Sequence, residues 1–440
     1  MSRRLLGMVF LAIMFLCIFA ALAYNLPPIH DRLSWRIANL QTQIRRAINP
    51  PERVIFIPQE QGDADPVANL AQATLQVRWT TSAPNQTPQP TLISLGPTEP
   101  PPALVTPTFS PTPIPAKVVL SGILHEYQQF NNCGPANLAM ALSYWGWQGD
   151  QRDTRLFLRP NKDVDDKNVD PSEMVAFVET QTGLKALARL GGDLGTLKRL
   201  IAAGFPVIIE KGHHPPDDWW MGHYLVVNGF DDERQRFITQ DSLIMPDFPL
   251  PYEELEARWW RDFNYVYLVI YPPELEAEVQ AILGPQADLT YNYQYAAQKA
   301  RDEIPLLAGR DLFFAWYNLG SSLVGLLDYP QAAQAYDKAF EVYATLPEAE
   351  RPYRVLWYQV GPYPAYYHTG RYQDVIDLAD TTLVWVTQPV LEETFYWRGM
   401  ARQAMGDEPG AIQDLTRAAQ LNPSFLPPQQ ELQRLGVPLP

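Results

Sequence analysis

Between Thr80 and Pro115 the chain carries Pro97, Pro100, Pro101, Pro102, Pro107, Pro111, Pro113 and Pro115 among Thr, Gln and Ala. Such a stretch offers no periodic apolar face, and each proline removes a backbone donor, so it cannot join a core. It reads as an extended, semi-rigid spacer over residues 58–116 and divides a chain of 440 residues into a short part before it and a long part after it. A composition of 46% hydrophobic and 12% aromatic residues then allows at least two cores in what remains.

The part before the spacer opens with Ser2-Arg3-Arg4 and then 19 residues without a charge, Leu5 to Ala23. At about 1.5 Å of rise per residue such a helix nearly crosses a roughly 30 Å hydrocarbon layer, so residues 1–28 are expected to form a transmembrane anchor. Ala21-Leu22-Ala23 also has the form of a signal-peptide cleavage site, which would release a secreted body instead. With Arg3 and Arg4 ahead of the segment, the body is expected outside the cytoplasm. In residues 29–57, Leu33, Ile37, Leu40, Ile44 and Ile48 recur at three- and four-residue steps, the pattern of an amphipathic juxtamembrane helix. A net charge of −15 excludes a phosphate-binding face and hence a nucleic-acid partner. Two cysteines, Cys17 and Cys133, exclude a disulfide framework.

Residues 117–272 have an α+β pattern. Helices are expected at Pro135–Trp145, Pro171–Thr182 and Leu194–Ala203, and strands at Val118–Leu120, Pro206–Glu210, Tyr224–Phe230, Phe237–Asp241 and Tyr265–Tyr271. Cys133 stands where the first helix begins, and the unpaired N–H groups of a helix start favour a thiolate. A nucleophile needs a base, and His223 enters the strand that precedes an acidic turn and a second strand. A hairpin turning near Asp232 pairs Leu225 with Thr239 and His223 with Asp241, bringing a carboxylate to the imidazole. His213, His214, Asp217 and Asp218 are expected in a solvated loop rather than around a metal, because adjacent histidines do not readily converge on one ion. Trp219 and Trp220 read as loop packing.

The run Asn131-Asn132-Cys133-Gly134-Pro135-Ala136-Asn137 resembles the peptidase C39-like family of papain-like cysteine peptidases. So do an upstream glutamine, Ala203-Gly204-Phe205-Pro206-Val207-Ile208, Gly222-His223-Tyr224 and Gln240-Asp241-Ser242. The family is related to the enzymes that clip double-glycine leaders from bacteriocin precursors. The resemblance implies a papain-like fold with Cys133 as nucleophile, His223 as general base, Asp241 as its orienting carboxylate and Gln128 as oxyanion donor, with Gln129 the alternative. No metal or cofactor is implied. The many-span transporter fused to such leader peptidases has no counterpart here, so their substrate does not carry over. The insert from His213 to Met221 comes immediately before His223 in sequence and is expected to cap the cleft or recognise substrate.

Residues 273–440 read as an all-α array. Trp316, Leu319, Gly320, Leu323, Ala332, Tyr336 and Ala339 have the spacing of a tetratricopeptide repeat, which Phe395, Gly399, Ala411, Ala418 and Pro423 repeat; a degenerate unit with Tyr366, Gly370, Tyr372 and Val375 lies between. Such arrays present a concave face suited to an extended peptide or a protein partner. The whole chain is therefore expected to be an extracytoplasmic, membrane-anchored thiol peptidase acting on peptide or protein substrates. The alternative is a catalytically inactive scaffold that keeps the fold and works through its repeats.

Overall fold

The computed structural model describes scattered positions between Met14 and Ile48, then residues 54–59, 114–160, 168–215, 219–386 and 390–440. Most of the apolar segment Leu5–Ala23 and of the proline-rich spacer lies outside the described residues. Among the described residues no helix is long and apolar enough to cross a membrane.

An antiparallel sheet of seven strands organises the first part of the body: β1 (Lys117–Val119), β2 (Lys185–Arg189), β3 (Val207–His213), β4 (Met221–Asp231), β5 (Arg236–Gln240), β6 (Phe248–Pro251) and β7 (Tyr267–Tyr271). The order is β2-β7-β3-β4-β5-β6, and β1 pairs with Gly229–Asp231 of β4 beyond the point where β3 begins. Both faces are covered, which is why β3, β4 and β7 are apolar at consecutive positions rather than alternating. Ile208, Tyr224, Val226, Leu268 and Ile270 pack beneath α1 (Cys133–Tyr144) and α3 (Pro171–Gln181). Val207, Ile209, Leu225, Val227 and Val269 pack beneath α4 (Leu194–Ala202) and α5 (Glu276–Leu283) on the other face. The last of these helices lies past the expected boundary at residue 272 yet buries Val279 and Leu283 in the sheet's core.

Two elements lack the apolar signal that marks the others. Helix α2 (Gln151–Leu158) has its three large apolar residues bunched at Leu156–Leu158 with no periodic stripe, and its start is set by a reciprocal cap in which Asp150 and Asp153 each accept the other's backbone N–H. Strand β2, Lys-Ala-Leu-Ala-Arg, has no β-branched residue; pairing with β7 along its whole length makes it a strand.

The β4–β5 hairpin departs from the expected register. Its turn is a 3₁₀ segment, Asp232–Arg234, followed by Gln235 at φ 49°. The pairs are Asp231 with Arg236, Phe230 with Phe237 and Gly229 with Ile238, then Val227 with Thr239 and Val226 with Gln240. Asn228 is left over as a bulge. One extra residue restores the parity that the longer turn would have reversed. Asp241, just past the end of β5, is thus diagonal to His223 rather than directly opposite it, on the same face.

After α6 (Leu289–Glu303) come three helix pairs joined by short turns: α7 (Gly309–Gly325) with α8 (Tyr329–Thr345), α9 (Pro362–His368) with α10 (Tyr372–Val384), and α11 (Glu392–Ala404) with α12 (Glu408–Leu421); α13 (Leu426–Arg434) follows. Asp328 and Asp407 cap α8 and α12, each with proline in the first turn. Gly320 lets α7 approach α8, since a Cβ there would stand 2.8 Å from the Tyr336 ring.

This helical region shares a core with the sheet domain. Trp220 stacks on Phe263 and packs against Phe314 and Tyr358, while Trp219 packs on Tyr353, so both tryptophans of the insert join the two regions. Asp262, fully buried, binds Arg310 of α7 and accepts from Trp220 Nε1 at 2.8 Å. Gln359 Nε2 donates to the Asp262 carbonyl at 2.6 Å, and Asn318 Nδ2 to the Arg261 carbonyl at 2.7 Å. Removing one partner of a buried ion pair strands the other charge. Asp262→Ala is expected to lower stability by about 3–5 kcal/mol in chemical denaturation, and Trp219→Ala, on a half-buried ring, by distinctly less.

Candidate active site

Helix α1 begins at Cys133 without a side-chain cap: its preceding residue, Asn132, turns its amide to Gln151 Oε1 at 2.8 Å instead. The N–H groups of the first turn therefore stay available to the thiol. The loop before Cys133 is pinned from α2. Gln151 accepts from Gln129 N as well as Asn132 and donates to Glu126 and to the Tyr127 carbonyl, while Arg159 donates to the carbonyls of Phe130 and Asn131. Asn131, at φ 48°, is the left-handed residue through which the loop enters the helix.

His223 and Asp241 are both buried, at 3% and 1% exposure, and His223 Nε2 donates to Asp241 Oδ1 at 2.9 Å. The same oxygen accepts the N–H groups of Leu243 at 2.9 Å and Ile244 at 3.1 Å. Burial opposes the charge on Asp241, but His223 and these two N–H groups outweigh it and hold the carboxyl at about 2. Burial likewise opposes a charged His223, and Asp241 together with the Cys133 thiol overcomes it, raising the imidazole to about 9. With Nε2 committed to Asp241, Nδ1 is the ring nitrogen left for Cys133. The half-buried thiol is desolvated, yet its hydrogen bond to His223, the charge of that ring and the N–H groups of Tyr224 and Gly134 bring it below an ordinary thiol. The arrangement favours a thiolate beside an imidazolium.

Gln128 is tied to the same place. Its backbone N–H donates to the Ser242 carbonyl at 2.9 Å, and its Oε1 accepts from Ser242 Oγ at 2.8 Å. Ser242 Oγ in turn accepts from Asn137 Nδ2 at 3.0 Å, and Asn137 also reaches the carbonyls of Cys133 and Tyr224. Fixing Oε1 leaves the Gln128 amide N–H groups as its free donors. Gln129 has its backbone drawn toward Gln151 instead.

In sequence, Asn137 and Ser242 are small polar residues overshadowed by Cys133 one turn away and by the adjoining Asp241. A one-turn spacing of Asn137 from Cys133 was the available signal. Glu210 gave no signal at all. It pairs with Tyr224 across β3 and β4, is buried, and has an Oε1 without a hydrogen-bond partner. Burial, and then the nearby Cys133, push its carboxyl well above the usual range, so it sits neutral beside the thiol. Gly222, next to His223, is hemmed by Glu210, Phe263 and Tyr358: a Cβ there would stand 3.0 Å from Glu210 Oε1 and 2.9 Å from the Tyr358 ring. Tyr358 belongs to the helical region, so that region reaches the edge of the site.

The histidines of the insert separate. His213 closes β3, half-buried, with its ring 5.7 Å from that of His223. Burial and the neighbouring imidazolium lower it to about 3, which keeps it neutral. It does not lie in a solvated loop. His125 also stands close, its Nδ1 3.2 Å from Gln240 Oε1. Asp217 and Asp218 lie outside the described residues, and no group of three or more His, Cys, Asp or Glu able to hold a metal is found among the described ones.

Residues 123–265 match the profile of the Peptidase_C39 like family. Among solved structures, a C39-like peptidase from Bacillus anthracis is 19% identical, covering 35% of this chain and 96% of its own, with a TM-score of 0.29. A double glycine motif protease from an AMS/PCAT transporter, in complex with the leader peptide, is 20% identical over 36% of this chain and 98% of its own, with a TM-score of 0.27. No curated protein matches the chain. Residues 123–265 form a Peptidase C39-like family domain.

Proposed function

We propose that this domain is a cysteine peptidase that cleaves peptide bonds by acyl transfer through Cys133, His223 and Asp241. The observation that carries the reading is the buried 2.9 Å contact between His223 Nε2 and Asp241 Oδ1, which leaves Nδ1 to a thiol already lowered at the start of α1. His223 takes the thiol proton, and the Cys133 sulfur attacks the substrate carbonyl carbon. The resulting oxyanion is received by the N–H of Cys133 and the amide of Gln128. The imidazolium then protonates the leaving amine, and water, deprotonated by the same imidazole, releases the acid and regenerates the thiol. A neutral Glu210 adds no second negative charge beside the thiolate.

The helix pairs fit the tetratricopeptide class in their short turns, in the small residues facing large ones and in the recurrence of capping Asp before a proline. On the charge asymmetry of Arg3 and Arg4 around Leu5–Ala23, the proposed place of action is outside the cytoplasm on a membrane anchor. Recovery of the full chain in the supernatant after alkaline carbonate extraction would count against that anchor.

Incubating the full chain with a mixed peptide library, beside Cys133→Ala, is expected to give products only with the native thiol; identical products would remove the peptidase assignment. Gln128→Ala is expected to cost roughly 10²–10³-fold in kcat/KM while iodoacetamide labels Cys133 at an unchanged rate. At about pH 6, His223→Ala should slow that labelling roughly tenfold or more, since the thiolate loses its counter-charge. An unchanged rate would show that no ion pair forms.

The two pKa displacements also set a stability window. Raised to about 9, His223 contributes fully below its ordinary value of 6.5, and that contribution is lost as pH rises through about 9. Lowered to about 2, Asp241 contributes above the ordinary carboxylate range and loses that contribution as pH falls through about 2. The difference in Tm between the native chain and Asp241→Asn should therefore be largest from about pH 5 to 7 and shrink on either side.

A further inference from the structure

Phe56 is 3% exposed although it precedes the proline-rich span, and the residues that bury it come from the far end of the chain. Its ring meets Phe340 of α8 edge-on at 5.0 Å and Tyr366 of α9 at 6.1 Å. Backbone contacts hold it on both sides. The Val54 carbonyl accepts from Trp385 Nε1 at 2.9 Å, and the Gln59 N–H donates to Asp374 Oδ1 at 2.9 Å. Residues 54–59 take no helical or strand structure of their own; Ile55 packs against the same core while Ile57 points outward.

The walls of this groove have their own bracing. Arg371 bridges Asp337 of α8 and Asp374 of α10, each at 2.7 Å, and the Tyr366 hydroxyl donates to Asp337 at 3.0 Å. These bonds hold the three helices in place without any contribution from the segment. The walls of the groove are thus braced among themselves, and they offer one indole donor, one carboxylate acceptor and an aromatic slot at the spacing of an extended backbone.

We propose that this groove is a peptide receptor for an extended, uncharged segment with phenylalanine between isoleucines, and that its resident ligand is the chain's own Val54–Gln59. The assignment does not depend on catalysis by Cys133. It changes what the proline-rich span can do: with Val54–Gln59 seated and Lys117–Val119 paired to β4, both ends of that span are fixed on one body.

Tethering gives the native segment an effective concentration on the order of millimolar, so a peptide added in trans competes poorly until the tethered copy is weakened. A fluorescent peptide with the sequence of residues 52–60 is expected to bind the full-length Phe56→Ala chain at least about tenfold more tightly than the native chain by anisotropy. The same peptide with its phenylalanine replaced by alanine should bind neither chain. Equal binding to both chains, equal binding of both peptides, or no binding would each overturn the proposal. A second measurement needs no variant: hydrogen exchange of the native chain should show the Gln59 amide protected at least about tenfold relative to a free peptide, and an unprotected amide would overturn it too.

Discussion

Everything at the candidate site depends on an imidazole and a carboxylate being buried together. Alone, either group at so low an exposure would give up its charge; side by side, with the Leu243 and Ile244 N–H groups on the same carboxylate oxygen, each keeps the other ionised. The same burial is what lets the pair act strongly on its neighbours in electrostatic terms. Water cannot screen the imidazolium from the thiol, so the lowering of Cys133 is a direct consequence of how deeply His223 and Asp241 are placed. The Asn228 bulge stands behind this contact, because without its extra residue the two side chains would leave opposite faces of the sheet.

The helical region is part of the same structure, not an appendage to it. Trp220 and Asp262 link the start of β4 and the segment before β7 to α7, and Tyr358 then comes to rest against Gly222, one residue from the histidine. An aromatic at this position narrows the space beside the imidazole. Helices α8, α9 and α10 of the same region meet Val54–Gln59. The helical region thus touches the candidate site through Tyr358 and holds the chain's own earlier segment through three helices.

Much of the sheet domain was legible because its elements bury both faces or one clear stripe. Helices α1, α3 and α4 and strands β3, β4, β5 and β7 fall close to where apolar runs and the prolines and glycines that bound them put them. Helix α2 and strand β2 were not, since one is set by a polar cap and the other by pairing with a strand some eighty residues away. The register illustrates the limit most sharply. Symmetric folding about Asp232 brought His223 and Asp241 together on the page, but the real hairpin uses a longer turn and a bulge to reach that meeting, and nothing in Asn228-Gly229 announces which residue will be left unpaired. The solvated-loop reading of His213 failed for a related reason: a histidine at a strand's end looks the same in sequence whether the next strand covers it or not.

What the sequence by itself determined is therefore local: the helix start at Cys133, the strand carrying His223, the continuous apolar runs of a sheet covered on both faces, and the helix pairs of the C-terminal half. These follow from periodicity, caps and breakers acting within a dozen residues. Tertiary structure decided everything that joins distant segments: Asn137 and Ser242 fixing Gln128, Glu210 neutral beside the thiol, Tyr358 at Gly222, and Phe56 in a groove built from residues 340 to 385. Burial and long-range contact set those, and neither a residue's depth nor its distant neighbours can be read from the residues on either side of it.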